Sequence, residues 1–122
     1  MFQILLVEDD HRFRKLLKEG LSQMFPSIVI EEASDGKEAM EKTDSFCPRI
    51  IFMDIRLPDE SGLQVARKIK AKCAHTHVAM LTSFDLPEYR QAATECGASR
   101  FFVKGASDGS EIWSFVRSLL EE

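Results

Sequence analysis

The strongest constraint on this chain is a set of short runs that are apolar at nearly every position, not at every second one. Phe2 to Val7 (FQILLV) and Ile50 to Met53 (IIFM) are the clearest. A strand with one face in water alternates apolar and polar residues, whereas a strand covered on both faces does not. Three further short runs, Ile28 to Ile30, Val78 to Leu81 and Phe101 to Val103, complete a set of five expected strands.

Between them the apolar residues recur at helical spacing. Phe13, Leu16, Leu17, Leu21 and Met24 form one face, with Pro26 after its end; Ala39 and Met40 follow the Asp35-Gly36 turn. Leu63, Val65, Ala66 and Ile69 mark a third helix, and a fourth opens at Pro87 and closes at Gly97. Ile112, Phe115, Val116, Leu119 and Leu120 mark the last. Strands alternating with helices imply an α/β fold around a parallel sheet. The 122 residues suit one domain, and no repeat or linker divides them.

Ligands of such sheets bind beyond the carboxyl ends of the strands. Glu8, Asp9 and Asp10 follow the first run, Asp54 the third, Thr82 the fourth and Lys104 the fifth. Carboxylates converging at one rim repel each other unless a hard cation offsets their charge. Mg²⁺ suits such a site, because it accepts a few carboxylates and completes its shell with water and phosphate oxygens. With a lysine and a hydroxyl beside them, these groups fit phosphoryl transfer to an aspartate. Asp10 differs from its neighbours: it precedes the first helical stripe, where a carboxylate caps the helix or complements its dipole.

These same residues carry a resemblance. The acidic Val7-Glu8-Asp9, "MDIRLPDESG" around Asp54, "LTS" at Leu81 to Ser83 and "FVK" at Phe102 to Lys104 resemble, in order and spacing, the marks of response-regulator receiver domains. The resemblance covers essentially the whole chain, one receiver domain over residues 1–122. It implies a flavodoxin-like (βα)5 three-layer sandwich whose parallel sheet has strand order 2-1-3-4-5. By the same resemblance, Asp54 takes a phosphoryl group from a histidine kinase or a histidine phosphotransfer protein. Glu8 and Asp9 hold Mg²⁺, helped by Asp54 and the backbone carbonyl of Arg56, and no further cofactor is implied. Lys104 contacts the phosphoryl oxygens, Thr82 moves onto them, and Phe101 follows as a switch aromatic. Pro58 and Gly62 shape the loop after Asp54, while Arg56 and Phe84 tune phosphoryl lifetime by limiting water. Two bulky residues there imply slow hydrolysis.

The implied protein is a switch module in two-component signalling, not a turnover enzyme; it catalyses only its own phosphorylation and dephosphorylation. The alternative is a receiver-like interaction module that no longer uses phosphate. An aspartyl-phosphate phosphohydrolase would usually want a second aspartate two positions past the nucleophile, where Arg56 stands. "KGAS" at Lys104 resembles receivers of NarL/FixJ-like transcription factors, which implies transcriptional output through a DNA-binding domain outside this chain. Many receivers have proline after the lysine; Gly105 makes a trans bond the expectation. If phosphorylation drives homodimerisation, the face of the last two helices and the fifth strand is where to look, with Arg90, Glu111 and Arg117 as candidate ion-pairing residues.

Several function classes are disfavoured. A net charge of −4 gives no reason for this chain to bind nucleic acid by phosphate neutralisation. No apolar run approaches the roughly 20 residues that cross a bilayer, and Met1 leads directly into a strand without a signal-peptide pattern. Cys47, Cys73 and Cys96 are odd in number and lack C-x-x-C spacing, so neither a disulfide framework nor a zinc site is expected. They are expected as small packing residues in a reducing, cytoplasmic setting. His75 and His77 are expected at the surface or a strand edge, and His11 as a solvated helix residue.

Overall fold

The computed structural model describes residues 1–106 and 109–122. Ser107, the last residue of "KGAS", therefore lies outside the described residues. Five strands, β1 (Gln3–Val7), β2 (Val29–Ala33), β3 (Ile50–Met53), β4 (His77–Thr82) and β5 (Arg100–Val103), alternate with five helices. These are α1 (His11–Met24), α2 (Gly36–Ser45), α3 (Gly62–Lys72), α4 (Pro87–Glu95) and α5 (Ser110–Leu120). All pairings between the strands are parallel and the strand order is β2-β1-β3-β4-β5, as the resemblance implied.

The continuous apolar runs are explained by two cores, one on each face of the sheet. Leu5, Val7, Ile51, Met53, Val78 and Met80 pack with Ala39 of α2, Val65, Ala66 and Ile69 of α3, and Ala93 of α4. Their strand neighbours Ile4, Leu6, Ile50, Phe52, Ala79 and Leu81 point the other way, onto Leu17 and Leu21 of α1 and Phe115, Val116 and Leu119 of α5. Successive side chains alternate faces, so both sets must be apolar.

Local chemistry sets the helix starts. The Asp10 carboxylate accepts from the N–H groups of Arg12 (3.0 Å) and Phe13 (3.2 Å) and caps α1. Asp35 and Ser61 do the same for α2 and α3, and Pro87 occupies the first turn of α4. No described peptide bond is cis, and Gly105 has φ +75°, a conformation that glycine adopts without a Cβ penalty.

Three expectations are corrected. β2 does not stop at Ile30 but runs to Ala33, pairing Leu5 with Glu31 and Leu6 with Glu32. It is an edge strand, so its acids reach cations on the flanking helices: Glu32 pairs with Arg14 and Lys18, both at 3.0 Å. Leu16 and Met24 are exposed (62% and 42%), because the stripe that meets the sheet runs through Leu17 and Leu21. Cys47 and Cys73 are not separate packing residues; they form a disulfide, with Cα atoms 5.6 Å apart. Cys47 lies just beyond α2 and Cys73 at the end of α3, and only the side-by-side packing of those helices brings them together. Cys96 is free and buried, as expected.

Candidate functional site

The site arises where the ladders run one residue past the strands. Glu8 N–H donates to the Ala33 carbonyl (3.0 Å), Asp54 N–H to Val7 (3.0 Å) and Lys104 N–H to Thr82 (2.8 Å). Backbone register thus delivers Glu8, Asp54 and Lys104 to one edge. The Lys104 ammonium forms ion pairs with the Glu8 carboxylate and with Asp54 Oδ2, the latter at 3.0 Å. Its other side lies 4.7 Å from the centre of the Phe13 ring.

Glu8 (4% exposed) and Asp54 (7% exposed) are buried, whereas Asp9 faces solvent. One carboxylate oxygen from each of the three lies within 4.8 Å of the others. Two buried acids share one lysine, so negative charge is in surplus. Burial pushes the Glu8 carboxyl up to about 7, and the neighbouring Asp54 adds to the rise against the pull of Lys104. Burial also opposes the charge on Lys104, but its hydrogen bond to Glu8 and the charge of Asp54 hold it above the ordinary lysine range. The surplus and the all-oxygen donor set fit a hard divalent cation such as Mg²⁺.

The loop after Asp54 is fixed by backbone contacts. Arg56 N–H donates to Asp54 Oδ1 (3.2 Å), and Gly62 N–H donates to the Ile55 carbonyl (2.7 Å). Gly62 is buried so tightly that an added Cβ would stand 1.8 Å from the Asp54 carbonyl oxygen. The loop is also tied outward. Asp59 accepts from Gly36 N–H and Lys37 N–H, both at 2.9 Å, at the start of α2. Those backbone bonds draw the Asp59 carboxyl below its usual range.

The other expected residues fall into two groups. Thr82 is fully buried at the neighbouring strand end, and its hydroxyl oxygen accepts from Phe84 N–H (3.2 Å). Phe101 stands apart: it pairs with Met80 in the sheet, and the Arg90 guanidinium lies 4.7 Å from its ring centre. Arg90 pairs with Asp85 (2.6 Å), not across to α5. At the rim, the Arg56 guanidinium stacks 3.7 Å from the Phe84 ring centre and its Nε donates to the Tyr89 hydroxyl (3.3 Å). The Phe13, Asp59 and Tyr89 contacts were not expected from the sequence. Each depends on chain segments brought together by the fold, and no local pattern marks them.

Residues 4–116 match the family described as the response regulator receiver domain. Among curated proteins, the chain is 34% identical to the chemotaxis protein CheY of Halobacterium salinarum, over 84% of this chain and 83% of that one. It is 36% identical to the transcriptional regulatory protein SrrA of Staphylococcus aureus, over 97% of this chain but 47% of that protein. The chain therefore spans about half the length of that transcriptional regulator. Among solved structures it resembles the Thermotoga maritima response regulator TrrA in complex with Mg²⁺-BeF, with TM-score 0.85 and 32% identity over 98% of this chain and 99% of that one.

Proposed function

This chain belongs to the response regulator receiver domain family, and we propose that it is a single receiver domain over residues 1–122 whose phosphoacceptor is Asp54. Receiver domains work in two-component signalling with histidine kinases or phosphotransfer proteins. The observation that carries the residue assignment is the Lys104 ammonium lodged between buried Asp54 and buried Glu8, with Asp9 beside them.

Glu8, Asp9 and Asp54, together with the Arg56 carbonyl, would hold Mg²⁺. The ion supplies charge neutralisation between the attacking carboxylate and the phosphoryl oxygens. Asp54 Oδ1 is oriented by Arg56 N–H and Oδ2 by Lys104. An Asp54 oxygen forms the new bond to phosphorus, and the leaving imidazole nitrogen of the donor phosphohistidine keeps the electron pair. Lys104 then follows the phosphoryl oxygens. Thr82 turns its hydroxyl from Phe84 N–H toward the phosphoryl group, and Phe101 follows as α4, β5 and α5 change surface.

The Arg56–Phe84 stack, braced by Tyr89, covers the approach to Asp54 and slows hydrolysis of the acyl phosphate. The switched surface of α4, β5 and α5 forms the partner or homodimer face, and output is transcriptional through a segment outside this chain. A cytoplasmic site of action follows from the kinase partnership. Among the described residues, no helix is long and apolar enough to cross a membrane.

The test is intact mass after incubation with Mg²⁺ and acetyl phosphate. Wild type gains one phosphoryl group and Asp54→Ala gains none. No gain in wild type with either acetyl phosphate or a phosphorylated histidine donor would instead favour an interaction module that does not use phosphate.

A further inference from the structure

At the sheet end opposite the acidic cluster, a cavity of about 300 Å³ opens over the Cys47–Cys73 disulfide. Its size is at the lower end of small-molecule sites. The residues lining it include Arg49, Lys72 and His75 and no carboxylate. Asp44 and Glu122 pair with Lys72 and Arg49 (each 2.5 Å) from outside the lining, and both acids are largely exposed. The two cysteines differ in exposure: Cys47 is exposed and Cys73 is 3% exposed.

We propose that Cys47 and Cys73 are a redox-active pair that exchanges with low-molecular-weight thiols bearing carboxylates, which dock in this cavity. The incoming thiolate attacks Sγ of Cys47, the more exposed cysteine, and forms a mixed disulfide there. The Cys47–Cys73 bond breaks, and its electron pair leaves on Cys73 as a thiolate, which takes a proton from water. A second thiolate attacks the sulfur of the bound one, releasing the oxidised dimer of the small thiol and the Cys47 thiolate, which takes a proton from water. The pair is thereby reduced by two electrons, and two small thiols are oxidised.

Hydrogen bonds hold the two cysteine-bearing segments together independently of the disulfide. Lys70 Nζ donates to the carbonyls of Ala74 and Thr76 (2.9 Å each), and the buried Thr76 hydroxyl donates to the Pro48 carbonyl (2.7 Å). The segments carrying Cys73 and Cys47 thus remain tied when the sulfurs part, ready to re-form the bond. What reduction releases is the covalent link between the far ends of α2 and α3.

The experiment uses the oxidised full chain, with reduced glutathione as the anionic thiol and cysteamine as the cationic one. Rates are compared per thiolate by quenched intact mass and peptide mapping. The expected result is an adduct on Cys47, with glutathione reacting about tenfold faster at low salt. That preference falls with added salt and in Lys72→Gln. Equal rates per thiolate, an adduct on Cys73, or two free thiols in the air-oxidised chain would each overturn the proposal. No phosphoryl transfer enters the readout, so the outcome is independent of the assignment of Asp54.

Discussion

Replacing Gly62 by alanine tests whether the tight loop after Asp54 sets the position of this proposed acceptor. The added Cβ would lie 1.8 Å from the Asp54 carbonyl oxygen and 2.8 Å from its carbon, and both are backbone atoms that no rotamer change can move. Reaching even 3.0 Å requires the loop and the strand end to part by about 1.2 Å. Forced expansion of a packed site costs about 1–3 kcal/mol. Weakening the Gly62 N–H bond to Ile55 adds about 1 kcal/mol, while alanine's better helix propensity returns at most about 1 kcal/mol. The expected net loss is roughly 1–4 kcal/mol in urea unfolding. Function should suffer separately, because a reacting group misplaced by about 1 Å loses on the order of a hundredfold in rate. Gly36→Ala is the comparison: its Cβ meets only side-chain atoms, a methyl of Val65 at 2.8 Å, Glu60 at 3.1 Å and Asp59 at 3.3 Å, which can turn aside as a backbone carbonyl cannot. It should cost less stability and leave acetyl phosphate labelling of Asp54 near wild type. If Gly62→Ala is as stable as wild type and labels at the same rate, the reasoning from the carbonyl contact is wrong.

Glu8 predicts a pH dependence. Its carboxyl is raised from 4.5 to about 7, so the folded chain holds that proton more tightly than the unfolded one. Stability from this group is complete below pH 4.5 and declines as pH rises through about 7, by an order of roughly 3 kcal/mol. Urea unfolding in a chelator should show the decline, and Glu8→Gln or added Mg²⁺ should flatten it. Asp10→Ala removes the two cap bonds of α1 and should cost about 1 kcal/mol in the same assay, with labelling of Asp54 unchanged. Reducing the disulfide, whose cysteines are 26 positions apart, should cost about 3.5 kcal/mol on loop-closure grounds. Calorimetry should register that as a melting point lower by roughly 10 °C, and an unshifted transition would count against it. Arg56→Ala removes the stack on Phe84 and should shorten the lifetime of phosphorylated Asp54; an unchanged decay rate would discard the shielding role.

Much of the candidate site's placement was legible because it is built at strand ends. Asp54, Lys104 and Thr82 each follow an apolar run directly, and a parallel sheet carries all such positions to one edge. Asp10 was legible as a cap because capping is local, decided within three residues. β2 carries a weaker signal. Glu31 and Glu32 look like the end of a strand, yet on an edge strand their side chains reach Arg14, Lys18 and Lys42.

Sequence alone determined the alternation of elements, the burial of the sheet on both faces and the set of residues at its carboxyl edge. All of these follow from hydrophobic period and local end signals. Tertiary structure alone decided which distant groups touch: Lys104 between Glu8 and Asp54, Asp59 on the first turn of α2, Arg56 on Phe84, and Cys47 on Cys73. Pairings of this kind depend on how helices lie across the sheet and on side-chain reach to within an ångström. No spacing along the chain encodes either quantity.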